Sequence, residues 1–155
     1  MKQYLIDTFR FNEQANLRLL NKIKALPDGE QCIKLFSHLI NSQDKWMSRV
    51  LNNPEQTKMD WWTPIYAIDK LDGRLVKSVD SWVSFLEGLS DEEINQTVQF
   101  IGYDGAKWEA KIVDIALQLN YHSIHHRAQI QTIIRAQGFE PDFLDYIGTK
   151  YKRLG

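Results

Sequence analysis

The strongest constraint on this chain is its apolar periodicity, which is helical in four long stretches and helical nowhere else. From Lys2 to about Leu26, apolar side chains return at Leu5, Phe9, Leu19 and Ile23, the 3.6-residue spacing of an amphipathic helix. Pro27-Asp28-Gly29 closes it. A second stripe runs from about Glu30 to Leu51 through Ile33, Phe36, Ile40, Met47 and Val50, widened by Leu35, Leu39 and Trp46. A third begins near Asp69 and continues to about Leu89 through Leu71, Leu75, Val79, Trp82, Val83 and Leu86. The fourth spans about Lys111 to Gln137, with Gly138 as its C-cap and Pro141 just beyond.

One interval breaks this period. Thr97 to Tyr103 alternates, Asp104-Gly105 is a two-residue hairpin signal, and Ala106 to Lys111 returns. The expected architecture is therefore all-α: a four-helix bundle with a short β-hairpin inserted before the last long helix. "DFLDYIGTKYKRLG" after Pro141 adds one short terminal helix or turn. At 155 residues the chain has the size of one domain, and residues 1–155 are read as such.

Charge narrows the function. With 19 basic and 20 acidic residues the net charge is -1, so no overall field gathers nucleic acid or anionic lipid, and neither is expected as a partner. No apolar run has the length of a membrane span, and the N-terminus lacks the form of a signal peptide. A cytoplasmic location is the expectation. The single cysteine, Cys32, sits beside Ile33 and reads as a small core residue.

Three of the four histidines crowd into "NYHSIHHRAQI", Asn120 to Ile130. At 100° per residue His122 and His126 lie 40° apart, one turn from each other, on the side marked by Ile115, Leu119, Ile130 and Ile133. Both point into the bundle, whereas His125 falls nearer the surface. An inward imidazole needs a hydrogen-bond partner or a metal. The pair at i and i+4 suits either a metal site or two satisfied core histidines. A third nitrogen would have to come from another helix, and His38 is the one remaining histidine; its place on the second helix permits inward projection without requiring it. Three imidazoles with a free fourth position describe an open site of the catalytic type.

Two other features stay open on the sequence. Asn12 and Asn16 interrupt the first apolar stripe, either as an exposed notch or satisfied buried amides, or as residues facing an internal polar site. "DWWTP", Asp60 to Pro64, lies in a connection too broken for a helix, and Trp61 and Trp62 serve there either as a lid over the bundle end or as a pocket wall. Asn16, Trp46, Trp61, Trp62 and Gln129 are the residues placed around the histidines as possible ligand-orienting groups or walls.

Three segments together resemble the DinB/YfiT-like family. "FNEQANLRLLN" (Phe11 to Asn21) is similar to its first-helix pattern, "LFSHLINSQDKW" (Leu35 to Trp46) to its histidine followed by tryptophan, and "YHSIHHRAQI" to its His-x-x-x-His-Arg-Gly-Gln motif. The resemblance implies a four-helix bundle, commonly a homodimer, holding a divalent metal cation on His38, His122 and His126. Zinc and nickel both suit imidazole ligands. Gln129 matches the motif glutamine and Arg127 its arginine. The chain departs at Ala128, where glycine is frequent, and at Gln14, where an aromatic is. Members with assigned activity transfer a small-molecule thiol, such as bacillithiol or mycothiol, to an electrophilic substrate. Metal-dependent hydrolysis, and a non-catalytic scaffold with a structural metal site, are the alternatives.

Overall fold

A computed structural model describes residues 1–154. Four helices carry the chain: α1 (Lys2–Ile23), α2 (Glu30–Val50), α3 (Ile68–Glu87) and α4 (Ile112–Ala136). A two-stranded antiparallel hairpin, β1 (Thr97–Ile101) and β2 (Lys107–Lys111), stands immediately before α4. This is the all-α bundle with inserted hairpin that the periodicity predicts. Each helix ends within a few residues of its expected boundary, and Gly138 occupies the left-handed conformation (φ 84°) of a C-cap. The C-terminal segment contributes a single 3-10 turn, Tyr146–Thr149.

The hairpin's connection differs from the expected two-residue turn. The strands end at Ile101 and resume at Lys107. Between them Gly105, at φ 78°, donates its N–H to the Gly102 carbonyl, and Gly102 donates to Ala106. The left-handed residue follows the turn instead of sitting inside a tight two-residue loop, so the loop is longer and Trp108 stands opposite Phe100.

Helix order in space decides everything that follows. α1 and α2 each pack against α3 and α4, which places these consecutive helices diagonally across the bundle. The apolar stripes meet in a core where Phe9 stacks on Trp82 at 5.7 Å between centroids, and Trp82 donates its indole N–H to the Gln43 carbonyl at 3.0 Å. Cys32 is fully buried, and burial pushes its thiol up to about 11, as befits a core residue.

The α1–α4 seam is polar at its centre. Arg127, buried to 4 % exposure, donates from Nη1 to Asn12 Oδ1 at 3.0 Å and Asn16 Oδ1 at 3.2 Å. Asn12 donates in turn to Asn120 Oδ1 at 2.9 Å, and Asn16 to Ser123 Oγ at 2.9 Å. The guanidinium also lies over the Phe11 ring at 5.3 Å. The two asparagines are therefore satisfied buried amides whose acceptors hold a charge. Burial pulls the Arg127 pKa down to about 10, which leaves it protonated at neutral pH.

A buried donor that loses its acceptor forfeits roughly 1–3 kcal/mol. Asn12→Ala and Asn16→Ala are each expected to lower unfolding free energy by about that amount. The double variant should cost more than the sum of the two, because each single variant leaves Arg127 Nη1 one acceptor and the double leaves the buried cation none. Urea denaturation followed by circular dichroism checks both points.

Candidate metal centre

Because α2 packs against α4, the histidines of the two helices meet. His38 Nε2 lies 3.1 Å from His122 Nε2, and His126 Nε2 lies 2.9 Å from the same atom. Candidate ligand atoms from all three residues fall within 4.8 Å of one another. His38 and His126 are buried and His122 half-buried. Of the two sequence readings of His38, inward projection is the one that holds. His125 is exposed and stays outside the group, its ring edge against His126 at 4.9 Å between centroids.

The second nitrogen of two of these rings is fixed. His38 Nδ1 faces the Trp61 carbonyl at 2.8 Å, and His126 Nδ1 faces Gln129 Oε1 at 2.6 Å. Both acceptors are oxygens, so both Nδ1 atoms carry the proton and both Nε2 atoms present bare lone pairs. Desolvation drives all three imidazoles toward the neutral form. It lowers His38 and His126, and takes His122 down to about 4, with the neighbouring histidines adding to the fall. At neutral pH the cluster is thus an uncharged nitrogen donor set. His122 can give one proton to one neighbour, which leaves the other lone pair unmatched.

A metal fits this arrangement. Imidazole nitrogens about 2.0–2.1 Å from a shared tetrahedral ion lie about 3.3 Å apart, within a few tenths of an ångström of the two short separations here. His38, His122 and His126 would be the ligands, with the Trp61 carbonyl and Gln129 holding two of the rings in the ligating tautomer.

The "DWWTP" segment is built into this site. Asp60 Oδ1 accepts the backbone N–H groups of Trp62 and Thr63 at 2.7 and 2.8 Å. That turn aims the Trp61 carbonyl at His38 and lays the Trp62 ring flat on the His38 ring, at 3.8 Å between centroids and 10° between planes. Trp62 thus covers the His38 ring, while Trp61 is the one of the two whose side chain lines a cavity. Trp46 stands away from the histidines, against Trp61 and Phe100. Asn16 spends its hydrogen bonds on Ser123 and Arg127, so it anchors the helix bearing the ligands and does not face them. Sequence reasoning passed over Asp60, though an aspartate two and three residues ahead of free N–H groups is the ordinary signal of such a turn.

An all-α bundle whose inner seam gathers three neutral imidazoles around one point defines a class: helical proteins with a histidine site able to hold a metal. The chain belongs to the DinB superfamily, whose profile matches residues 13–130, an interval that includes all three histidines. No curated protein matches the sequence.

The depressed histidines set a pH dependence. Between the ordinary value of 6.5 and about 4, the unfolded chain takes up a proton at His122 that the folded chain refuses. The unfolded state binds more protons there, so stability falls as pH drops through that window. Metal-free protein is expected to melt at a lower temperature at pH 5 than at pH 7. His122→Gln should lose less over the same interval, as thermal unfolding monitored by circular dichroism would show.

Proposed function

We propose that this protein is a metal-dependent enzyme that transfers a small-molecule thiol to an electrophilic substrate, with His38, His122 and His126 holding a zinc or nickel ion. The observation that carries the reading is the donor set itself: three neutral nitrogens and no carboxylate in the group. When bound, a divalent cation supplies uncompensated positive charge, which favours the ionised form of a thiol or a water beside it at neutral pH. The chain's own residues do the rest. Gln129 and the Trp61 carbonyl hold the rings so that all ligand capacity faces one point. Trp62 covers one side of His38 and keeps water from that face. Thiol transfer is favoured over hydrolysis by the resemblance to family members of that activity. Residues 1–155 are taken as one domain, acting as a cytoplasmic homodimer by the same analogy; light scattering tests the dimer.

Protein purified without a histidine tag is expected to carry close to one zinc or nickel per chain by elemental analysis. His38→Ala, His122→Ala and His126→Ala should each abolish it, while Gln129→Ala should weaken metal affinity by about 10–100-fold and leave the fold intact. Wild-type content that survives all three histidine substitutions would remove the site. Metal-loaded protein is then assayed with low-molecular-weight thiols against a chlorodinitrobenzene electrophile. Turnover that disappears on chelation and returns with metal is the expected result; a loaded protein without turnover across the thiol panel would overturn the transferase reading in favour of a non-catalytic one.

A further inference from the structure

The face of α2 that carries His38 continues through Lys45 and Arg49, seven and eleven residues on, which is within 20° of the same helical direction. Both side chains are buried, Lys45 to 9 % and Arg49 to 6 % exposure, and among the described residues neither forms an ion pair with a carboxylate. Lys45 Nζ donates to the Met59 carbonyl, and Arg49 Nη2 to the Ile101 carbonyl at 3.0 Å. Among the described residues Arg49 Nε has no hydrogen-bond partner, and neither has Oε1 of buried Gln56 beside it.

These two cations line a cavity of about 560 Å³ between α2, the 51–61 connection and the hairpin. Its walls are aromatic: Trp46, Trp61, Phe100 and Trp108. The Arg49 guanidinium lies 4.6 Å from the Trp46 ring centre, 5.0 Å from Trp61 and 4.5 Å from Phe100, and Lys45 Nζ lies 4.5 Å from Trp61. Gly102 lets the far wall close, since a Cβ there would meet the Trp108 ring at 2.6 Å.

Cation–π contacts and two carbonyls solvate these charges but do not neutralise them. Two buried positive groups, neither in contact with a carboxylate and with only exposed Asp60 acting on Lys45 from a distance, line an apolar cavity of ligand size and describe a site completed by an anion. The flat aromatic walls select what the anion is attached to. We propose that this cavity binds a small carboxylic acid with a planar apolar body, its carboxylate drawn to Lys45 and Arg49 and its body held among Trp46, Trp61, Phe100 and Trp108. The size of the cavity admits a bicyclic molecule. Trp61 belongs to both sites, its carbonyl on His38 and its indole on the cavity wall. No histidine lines the cavity, so occupancy does not rest on the metal reading.

The test uses the full chain stripped of metal, with naphthoate as probe and naphthalenemethanol as its neutral counterpart, titrated by calorimetry. Naphthoate should bind at least about tenfold more tightly than the alcohol. The preference should shrink with rising salt, vanish in Lys45→Met and persist in Lys45→Arg. Trp108→Ala, on the exposed rim, should weaken acid and alcohol alike, and serves if Lys45→Met does not fold. Equal binding of acid and alcohol, or no binding of either, overturns the proposal. So does displacement of naphthoate by equimolar inorganic phosphate, which would show that the apolar walls contribute nothing. Binding that appears on metal loading and is lost on stripping would place the carboxylate at the histidines, and also overturns it.

Discussion

His122 Nε2 faces His38 Nε2 at 3.1 Å and His126 Nε2 at 2.9 Å, an arrangement that one neutral imidazole cannot satisfy on both sides. Two of the rings are committed, through their Nδ1–H bonds to Trp61 and Gln129, to presenting lone pairs inward. The third, His122, faces both. One proton on His122 can serve one neighbour; a cation at the centre serves all three. The surrounding architecture holds the rings against their mutual repulsion, and it does so from outside the cluster. A loop carbonyl grips one ring, a glutamine one turn along grips another, and a tryptophan lies flat on the first.

Helix order makes this possible. With α1 and α2 on the diagonal, α4 packs against both and has two polar seams to satisfy. Toward α2 it offers His122 and His126. Toward α1 it offers Asn120, Ser123 and Arg127, each matched by Asn12 or Asn16. Adjacent residues His126 and Arg127 therefore point to different seams of one helix. The buried arginine fixes the rotation of α4 against α1, and this rotation is what aims the histidines at α2. A leucine pair at positions 12 and 16 would pack well but leave Arg127 with neither acceptor, so the asparagines set the helix's orientation as much as its stability.

The sequence carried the helices and the inward pair clearly, because both follow from a rigid period: 100° per residue puts His122 and His126 on one side of α4 whatever surrounds them. It also carried the hairpin's existence, but not its turn, since Asp-Gly suits a tight loop and a longer one equally. His38 was ambiguous for a different reason. A wheel gives direction relative to a helix's own stripe, while inward projection depends on which neighbour that side meets, and that is a property of bundle topology. The roles of Trp61 and Trp62 were less legible still. A backbone carbonyl leaves no trace in residue type, and the Asp60 turn that aims it lies in a connection with no period at all.

Lys45 and Arg49 show where reading by hydropathy is blind. Neither belongs to the apolar stripe of α2; yet they share the direction of His38, and the hairpin and the 51–61 connection fold over them. Long cationic side chains tolerate this because their stems are apolar and their heads find ring faces and carbonyls. Desolvation lowers both from their ordinary values, and Arg49 lowers Lys45 further against the opposing pull of Asp60. A pair of like charges with no carboxylate in contact is unfavourable in an empty cavity and favourable in one that receives an anion. The hairpin is what converts the exposed end of α2 into such a cavity, so the one element that breaks the helical period of this chain also supplies the wall of its second polar site.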